Sequence, residues 1–362
     1  MSKDLSAAIR ASITGGENAL LAMRPYIATH GRYKGQPVIA VNTGVLDESG
    51  NPVYGERPLQ TNANGTLRKD EWVLLEDQII EAARERLVIV GDLQAAGLTY
   101  NVGGLGTILS EWETGSEITD ARITMDGESS GEKDSQEFGL NGVPIPIIHK
   151  EFSIGTRMLE ASRTRGAALD VTTGTEAGRS VARRSEQLVF FGSSLSAKDS
   201  AGNQFSIPGL LTFPGRATYT IANWAVASGE TILANILAMI SLAETQERAF
   251  GPFNLYVPGA YAGRLREDFK ANSDKTLMQR ILEIPEIKAV RISDVLTTGN
   301  VVLVQMSRGT IDLAVASDVT TVQWQSGSGW TNHFQTFAAW APRIKQDFDG
   351  HCGVVHGSVW ED

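Results

Sequence analysis

The stretch 111–192 constrains the fold of this chain more than any other. It reads as one long β-hairpin with an acidic tip, followed at once by an arginine-bearing amphipathic helix. Two extended runs, 118–126 and 136–154, flank a tip at 127–135 that carries no large apolar side chain. An arm so long and polar cannot bury itself inside its own domain and needs a neighbouring subunit. The feature points to a chain that builds a shell or lattice, not to an enzyme with a pocket.

Charge divides this stretch in two. Between 111 and 137 stand nine acids (Glu111, Glu113, Glu117, Asp120, Asp126, Glu128, Glu132, Asp134, Glu137) against two bases, Arg122 and Lys133. Between 157 and 191 stand six arginines (Arg157, Arg163, Arg165, Arg179, Arg183, Arg184) against four acids. Two readings stay open: two solvated faces, or the acidic arm of one subunit lying across the arginine-rich region of the next. In the second, Asp126, Glu128, Glu132, Lys133, Asp134 and Glu137 meet the six arginines. Complementary fields of that kind fix register and encounter more than affinity, since exposed pairs contribute only ~0–1 kcal/mol each.

At 362 residues the chain has room for two cores plus extensions. Its net charge of −10 argues against a free-standing nucleic-acid binder, which needs clustered Lys and Arg. A container whose wall merely faces nucleic acid is compatible with that charge. No apolar run approaches the ~18 residues of a membrane span, and the start of the chain lacks the apolar core of a secretory signal, so a cytoplasm-like compartment is expected. The single cysteine, Cys352, excludes an internal disulfide and reads as a small buried hydrophobe.

The expected organisation follows from periodicity. Residues 1–66, rich in Gly and Asn, form an N-terminal arm with a short helix near 7–22, ordered by other subunits. One helix spans 70–96, with Trp72, Leu75, Ile79, Ala83, Leu87 and Val90 on one face and Gly97 as its stop. Gly103-Gly104-Leu105-Gly106 lacks the flanking strand and helix of a phosphate loop and reads as a hinge into the hairpin. Pro144 and Pro146 place an edge or bend in the return strand. A short helix at 157–161 and a break precede a long helix from Thr173, where Thr173 and Glu176 have capping-box spacing; its inner stripe is Ala177, Val181, Ser185 and Leu188, and it ends at Gly192. An α/β unit fills 206–306, with a helix at 230–249, a strand at 254–257, a helix reaching 269, and strands at 287–292 and 301–306. The tail is strand at 311–316, 319–325, 336–341 and 354–359. The domain boundaries expected are 1–66, 67–110, 111–154, 155–205, 206–308 and 309–362.

Chemistry-bearing motifs are missing. There is no G-x-S-x-G, H-E-x-x-H or Walker-type loop, so no catalytic, cofactor-binding or metal residues are expected. His351 and His356 fall on opposite faces of an expected strand, and Asp347-Phe348-Asp349-Gly350 reads as a turn.

The order of these parts resembles the Hong Kong 97-type major capsid fold of tailed phages. The likeness rests on 67–98, on 143–192 with Pro-Ile-Pro-Ile-Ile-His-Lys-Glu-Phe and Thr-Arg-Met-Leu-Glu-Ala-Ser-Arg-Thr-Arg-Gly, and on Ile207-Pro208-Gly209-Leu210. The resemblance implies an α+β subunit: an N-arm, an E-loop at 111–154, a peripheral (P) domain with a spine helix, an axial (A) domain at 206–308 and returning P-domain strands. It implies a non-enzymatic chain assembling as pentamers and hexamers in a bacterial host's cytoplasm into a virion capsid. Its partners would be scaffold, portal and decoration proteins and packaged double-stranded DNA held non-specifically, with no membrane. Encapsulin nanocompartment shells, which enclose cargo enzymes bearing a targeting peptide, resemble the same segments. They usually open near position 70, so residues 1–66 favour the capsid. Some members of the capsid family weld subunits through a Lys–Asn bond, and Lys133 is the local lysine placed to serve.

Overall fold

The computed structural model describes residues 69–118, 135–165, 171–270, 274–325 and 330–359, with Leu67, Ile123 and Met125 and the backbone of three earlier strands. Residues 1–66 and 67–362 form two compact units. In the first, β1 (Tyr26–Ile27), β2 (Pro37–Leu46) and β3 (Pro52–Pro58) make an antiparallel sheet in that order. β2 runs ten residues, longer than the Gly and Asn content suggested, on a run with three β-branched residues, Val38, Ile39 and Val41. The helix expected near 7–22 lies outside the described residues.

The second unit opens with two helices where the sequence suggested one. α1 (Lys69–Arg86) stops, and α2 (Ile89–Ala95) begins after Leu87-Val88. The cause lies 98 residues away. The Glu186 carboxylate accepts the N–H groups of Val88 (3.0 Å), Ile89 (3.1 Å) and Val90 (3.0 Å), which gives α2 its own N-terminal partner. Gly97, at φ 67°, ends α2 as expected. β4 (Thr99–Asn101), a short exposed strand of polar sequence and not the apolar strand of a phosphate loop, then precedes the glycine loop.

The arm is a two-stranded ribbon. β5 (Leu109–Gly115) pairs with β6 (Phe138–Pro144), from Leu109 opposite Pro144 to Gly115 opposite Phe138. The return run 136–154 is therefore two strands, because β7 (Ile147–Gly155) leaves the arm for another sheet. The bend falls at Ile145-Pro146, as the prolines required, and the Ile145 N–H donates to Ile108 O at 2.8 Å.

α3 (Thr156–Arg165) leads to the long spine helix α4 (Thr172–Phe191). The capping box proposed at Thr173 does not form. The N-cap is Val171, without a side-chain bond, and Thr175 Oγ1 donates back to Val171 O at 3.1 Å. The buried face of α4 includes Ala177, Gly178, Val181, Ala182, Ser185, Leu188 and Val189, and α1 crosses it closely: a Cβ on Gly178 would stand 2.8 Å from Ile79 O. At the other end Gly192 takes φ 71° against Gly209, where a Cβ on Gly192 would meet Ile207 O at 2.3 Å. The Ile207-Pro208-Gly209-Leu210 run is thus a chain crossing, locked by the Leu210 and Leu211 N–H groups on Val189 and Phe190 carbonyls.

β8 (Gly192–Lys198) and β9 (Gln204–Pro208) form a hairpin. The α/β unit follows: β10 (Ala217–Thr220), α5 (Gly229–Thr245), β11 (Phe253–Pro258), a 3₁₀ turn with the five-residue α6 (Ala262–Arg266), α7 (Leu277–Leu282), β12 (Ile287–Ser293) and β13 (Asn300–Gln305). The helix expected to reach 269 is only that turn and α6. α7, opened by a Thr276–Gln279 capping box, went unforeseen. α5 carries the expected stripe of Ile232, Ile236, Met239 and Ala243, all buried, and Ser228 caps it.

The two strands expected at 311–325 are one bulged strand, β14 (Ile311–Gln325), paired with β15 (Thr331–Ile344); the register shifts twice between Val315 and Thr320. A four-stranded sheet runs β4-β14-β15-β7. The last strand, β16 (Val354–Ser358), does not join it. It enters the α/β sheet, ordered β10-β16-β13-β11-β12, beside β10 and β13. One apolar core lies within this α/β unit, and another joins α2, α4 and the four-stranded sheet.

Candidate assembly interface

The arm presents one face and anchors the other. Glu111, Glu113, Phe138 and Leu140 share the outward face, since Glu113 stands opposite Leu140 and Gly115 opposite Phe138. Phe138 is 65% exposed, and further out Ile123 and Met125 are wholly exposed. The ribbon thus places exposed apolar side chains among acidic ones. Glu137 is exposed where the ladder closes: its N–H donates to Ser116 Oγ at 2.9 Å. Asp126, Glu128, Glu132, Lys133 and Asp134 lie outside the described residues. Beyond the far end of the β5–β6 ladder, Glu117 pairs with Arg248 at 3.4 Å.

Under the anchored face lies a buried ion cluster that the sequence reading missed. Arg343 Nε and Nη2 donate to the two Asp312 oxygens at 2.6 and 2.7 Å, and Lys345 Nζ donates to Asp312 at 2.7 Å. The signal was there: a lone Asp and a lone Arg, each inside an apolar strand run, are buried charges that need each other.

The arginines of the spine region divide. Arg157, Arg183 and Arg184 are exposed, with Arg184 donating to Gln187 Oε1 at 3.0 Å. Arg179 is half-buried and bridges Glu176 (2.6 Å) and Glu85 (3.8 Å). Arg163 is not an exposed contact. It donates twice to Glu71, at 3.0 and 2.8 Å, and once to Glu160, fastening α3 to α1. Its side chain is 9% exposed, and these partners hold the guanidinium pKa above its ordinary value. The Arg165 side chain lies outside the described residues.

Glu186, on the same helix as Arg183 and Arg184, is 1% exposed. Burial pushes its carboxyl up to about 7, against the lowering by the three N–H donors of α2. Nearby, Arg291 and the Tyr256 hydroxyl both hold Asp92 (2.9 and 3.1 Å), tying α2 to β11 and β12.

Cys352 and His356 are packed into the interior. Burial pushes the Cys352 thiol up to about 12, which suits a packed side chain. Burial and Arg216 bring His356 down to about 4, with Asn300 Oδ1 2.8 Å from its Nε2. His351 sits in a turn, not a strand; its N–H donates to Asp347 Oδ1 at 2.7 Å. A cleft of about 470 Å³ opens between α1, α2, β4 and β14. Ile80, Leu87, Val315 and Trp340 line it among others, and the indole Nε1 of Trp340 has no partner among the described residues.

Comparison with known proteins agrees with this architecture. The chain is 27% identical over 303 residues to the type 1 encapsulin shell protein EncA of Myxococcus xanthus, covering 78% of this chain and 92% of that one. A virus-like particle from Pyrococcus furiosus superposes with a TM-score of 0.56 at 18% identity, covering 80% of this chain and 99% of the other. The capsid of Myoviridae phage XM1 superposes at 0.54 and 13% identity, over 75% and 92%. Residues 62–357 match a family described as "Family of unknown function (DUF6260)". The chain belongs to that family, and its fold is the Hong Kong 97-type fold of phage capsids and encapsulin shells.

Proposed function

We propose that this chain is a shell-forming subunit that assembles as pentamers and hexamers into a closed icosahedral particle, and that the particle is a tailed-phage capsid around double-stranded DNA. The observation that carries the shell reading is the arm: an acidic ribbon with exposed Phe138, Leu140, Ile123 and Met125, held at its root by buried charges. A rigid root and a contact-ready outer face suit an element that reaches another copy. In this reading the arm of one subunit lies over α4 of the next, with Glu111, Glu113, Glu137 and the tip acids facing Arg157, Arg183 and Arg184. Arg163, already held by Glu71, takes no part. The domain division follows the arm at 109–144, with β7 counted in the spine region's sheet, the spine region and the α/β unit, with β16 counted in the latter.

The capsid reading draws on the compact unit 1–66, which precedes the family-matched region and suits an N-arm overlapping neighbours. A second reading, an encapsulin-like compartment enclosing a cargo enzyme, is favoured by the 27% identity to a shell protein of that kind. The cleft beside α1 would then seat an apolar side chain of a cargo segment. Electron microscopy of the purified chain, expressed with a scaffold protein where one is encoded beside it, tests the shell itself. Closed particles are expected; a chain that stays monomeric or dimeric under both conditions overturns it. The contents separate the readings: nuclease-protected DNA in particles from infected or induced cells supports the capsid, and a co-purifying enzyme supports the compartment.

A further inference from the structure

The glycine loop 103–106 reads from sequence as a hinge, and the structure shows what stands at its two ends. Tyr100, in β4, comes just before it; Ser110 and Trp112, in β5, come just after. Arg343 reaches all three from β15. Its guanidinium carbon lies 4.0 Å from the Tyr100 ring centre and 5.7 Å from that of Trp112, and Nη1 donates to Ser110 Oγ at 3.4 Å. Within the loop the bonds are local: Gly103 N–H donates to Asn101 Oδ1 at 2.8 Å and Thr107 Oγ1 to Val102 O at 2.8 Å, with Gly103 and Gly104 at φ 86° and 113°. Its flanks are tied to strands, Val102 N–H donating to Val315 O at 3.1 Å and Ile108 O accepting from Ile145 N–H at 2.8 Å.

The charge balance explains why the rings are there. Asp312 compensates one cation, yet Arg343 and Lys345 both point at it. The side chains of Asp312, Arg343 and Lys345 are 2%, 6% and 19% exposed, and Lys345 also donates to Arg308 O at 2.8 Å, so it is the Arg343 end of the surplus positive charge that has little water to face. Two aromatic faces, with their negative quadrupoles, supply that compensation. Among the described residues the β5–β6 ribbon shares no strand ladder with another sheet, so this guanidinium is a polar tie from the arm's first strand to the β14–β15 pair.

We propose that Arg343 is a positioning residue that staples the two ends of the hinge, so that the β14–β15 pair sets the arm's direction and loss of the staple frees the arm to swing about loop 103–107. The staple is a property of the subunit. Its consequence for assembly rests on the shell function proposed above, and the two fail separately in the experiment.

The test is hydrogen exchange on the full chain carrying Arg343→Met. Lys345 still partners Asp312 in this variant, so the carboxylate is not orphaned. Amides of 99–115 are expected to exchange about tenfold faster or more, with those of 311–316 and 337–342 unchanged. Arg343→Lys keeps a charge for Asp312 but not the flat stack on both rings, and falls between. Unchanged exchange in 99–115 overturns the proposal, as does acceleration spread equally over β14 and β15, which would make Arg343 a general core brace. Should Arg343→Met not fold, Tyr100→Leu, at a half-exposed ring, releases one end alone; unaltered exchange across 102–112 in that variant also overturns the staple. If exchange responds as expected but particles keep one uniform diameter, the hinge stands and its part in assembly falls.

Discussion

The α/β unit and the arm root are stabilised in opposite ways. In the first, α5 and the five-stranded sheet bury Ile232, Ile236, Met239, Phe253, Leu255, Leu303 and Val355, and cohesion comes from apolar area. At the arm root and the spine, buried charges do the placing: Asp312 under Arg343, Glu186 on the N-terminus of α2, Arg163 on Glu71. Apolar packing is non-directional and tolerates small adjustments. A bidentate ion pair fixes an angle and tolerates little. A shell subunit needs both, a compact unit that holds its shape and an arm that leaves it in one direction.

This contrast predicts a graded set of losses. The largest belongs to Asp312→Ala, which strands Arg343 and Lys345 together; a loss of about 3–5 kcal/mol is expected by chemical denaturation, and a loss below ~1 kcal/mol would break the contrast. In the apolar unit, Ile236→Ala leaves a cavity against the sheet and is expected to cost about 3 kcal/mol. That loss should leave arm exchange untouched, whereas Asp312→Ala should change it.

Glu186 comes next, through pH. Its folded pKa, about 7, lies above the ordinary carboxyl value of 4.5. Its contribution is therefore fully present below pH ~4.5 and is lost as pH rises through 7. Measured against Glu186→Gln, which does not titrate, the wild-type chain should lose on the order of 2–3 kcal/mol of relative stability between pH 4.5 and 8. A flat difference would mean that the three N–H donors keep the carboxylate ionised throughout. The smallest effect is at the exposed Arg248–Glu117 pair, where Arg248→Ala should change subunit stability by less than ~1 kcal/mol.

The same contrast explains how much of the molecule the sequence revealed. The stripe of α5, the stop at Gly192 and the bend at Pro144 and Pro146 were legible, because each is a local rule acting on neighbours in the chain. The break at Leu87-Val88 was not, because its cause, Glu186, comes from another helix. Glu186 itself sits four residues after buried Ala182, in phase with the inner stripe, but a carboxylate there reads as a solvated residue until its donors are known. β14 looked like two strands since Ser317-Asp318 mimics a turn; pairing with β15 carries the chain through it as bulges. The final strand kept its type but not its place, because which sheet receives Val354–Ser358 is a long-range choice. For the candidate interface, the acidic arm and arginine-rich helix region were visible as charge, while the structure shows Arg163 held inside the subunit by Glu71 and, at the arm root, Arg343 held by Asp312.

One measurement bears most directly on the central claim that the arm joins subunits. Delete 127–135, then compare the purified variant with the full chain by sedimentation and electron microscopy. The account predicts a folded subunit with an unchanged circular dichroism spectrum that forms no regular closed particles. Particles of normal size and symmetry from the deleted chain would contradict it.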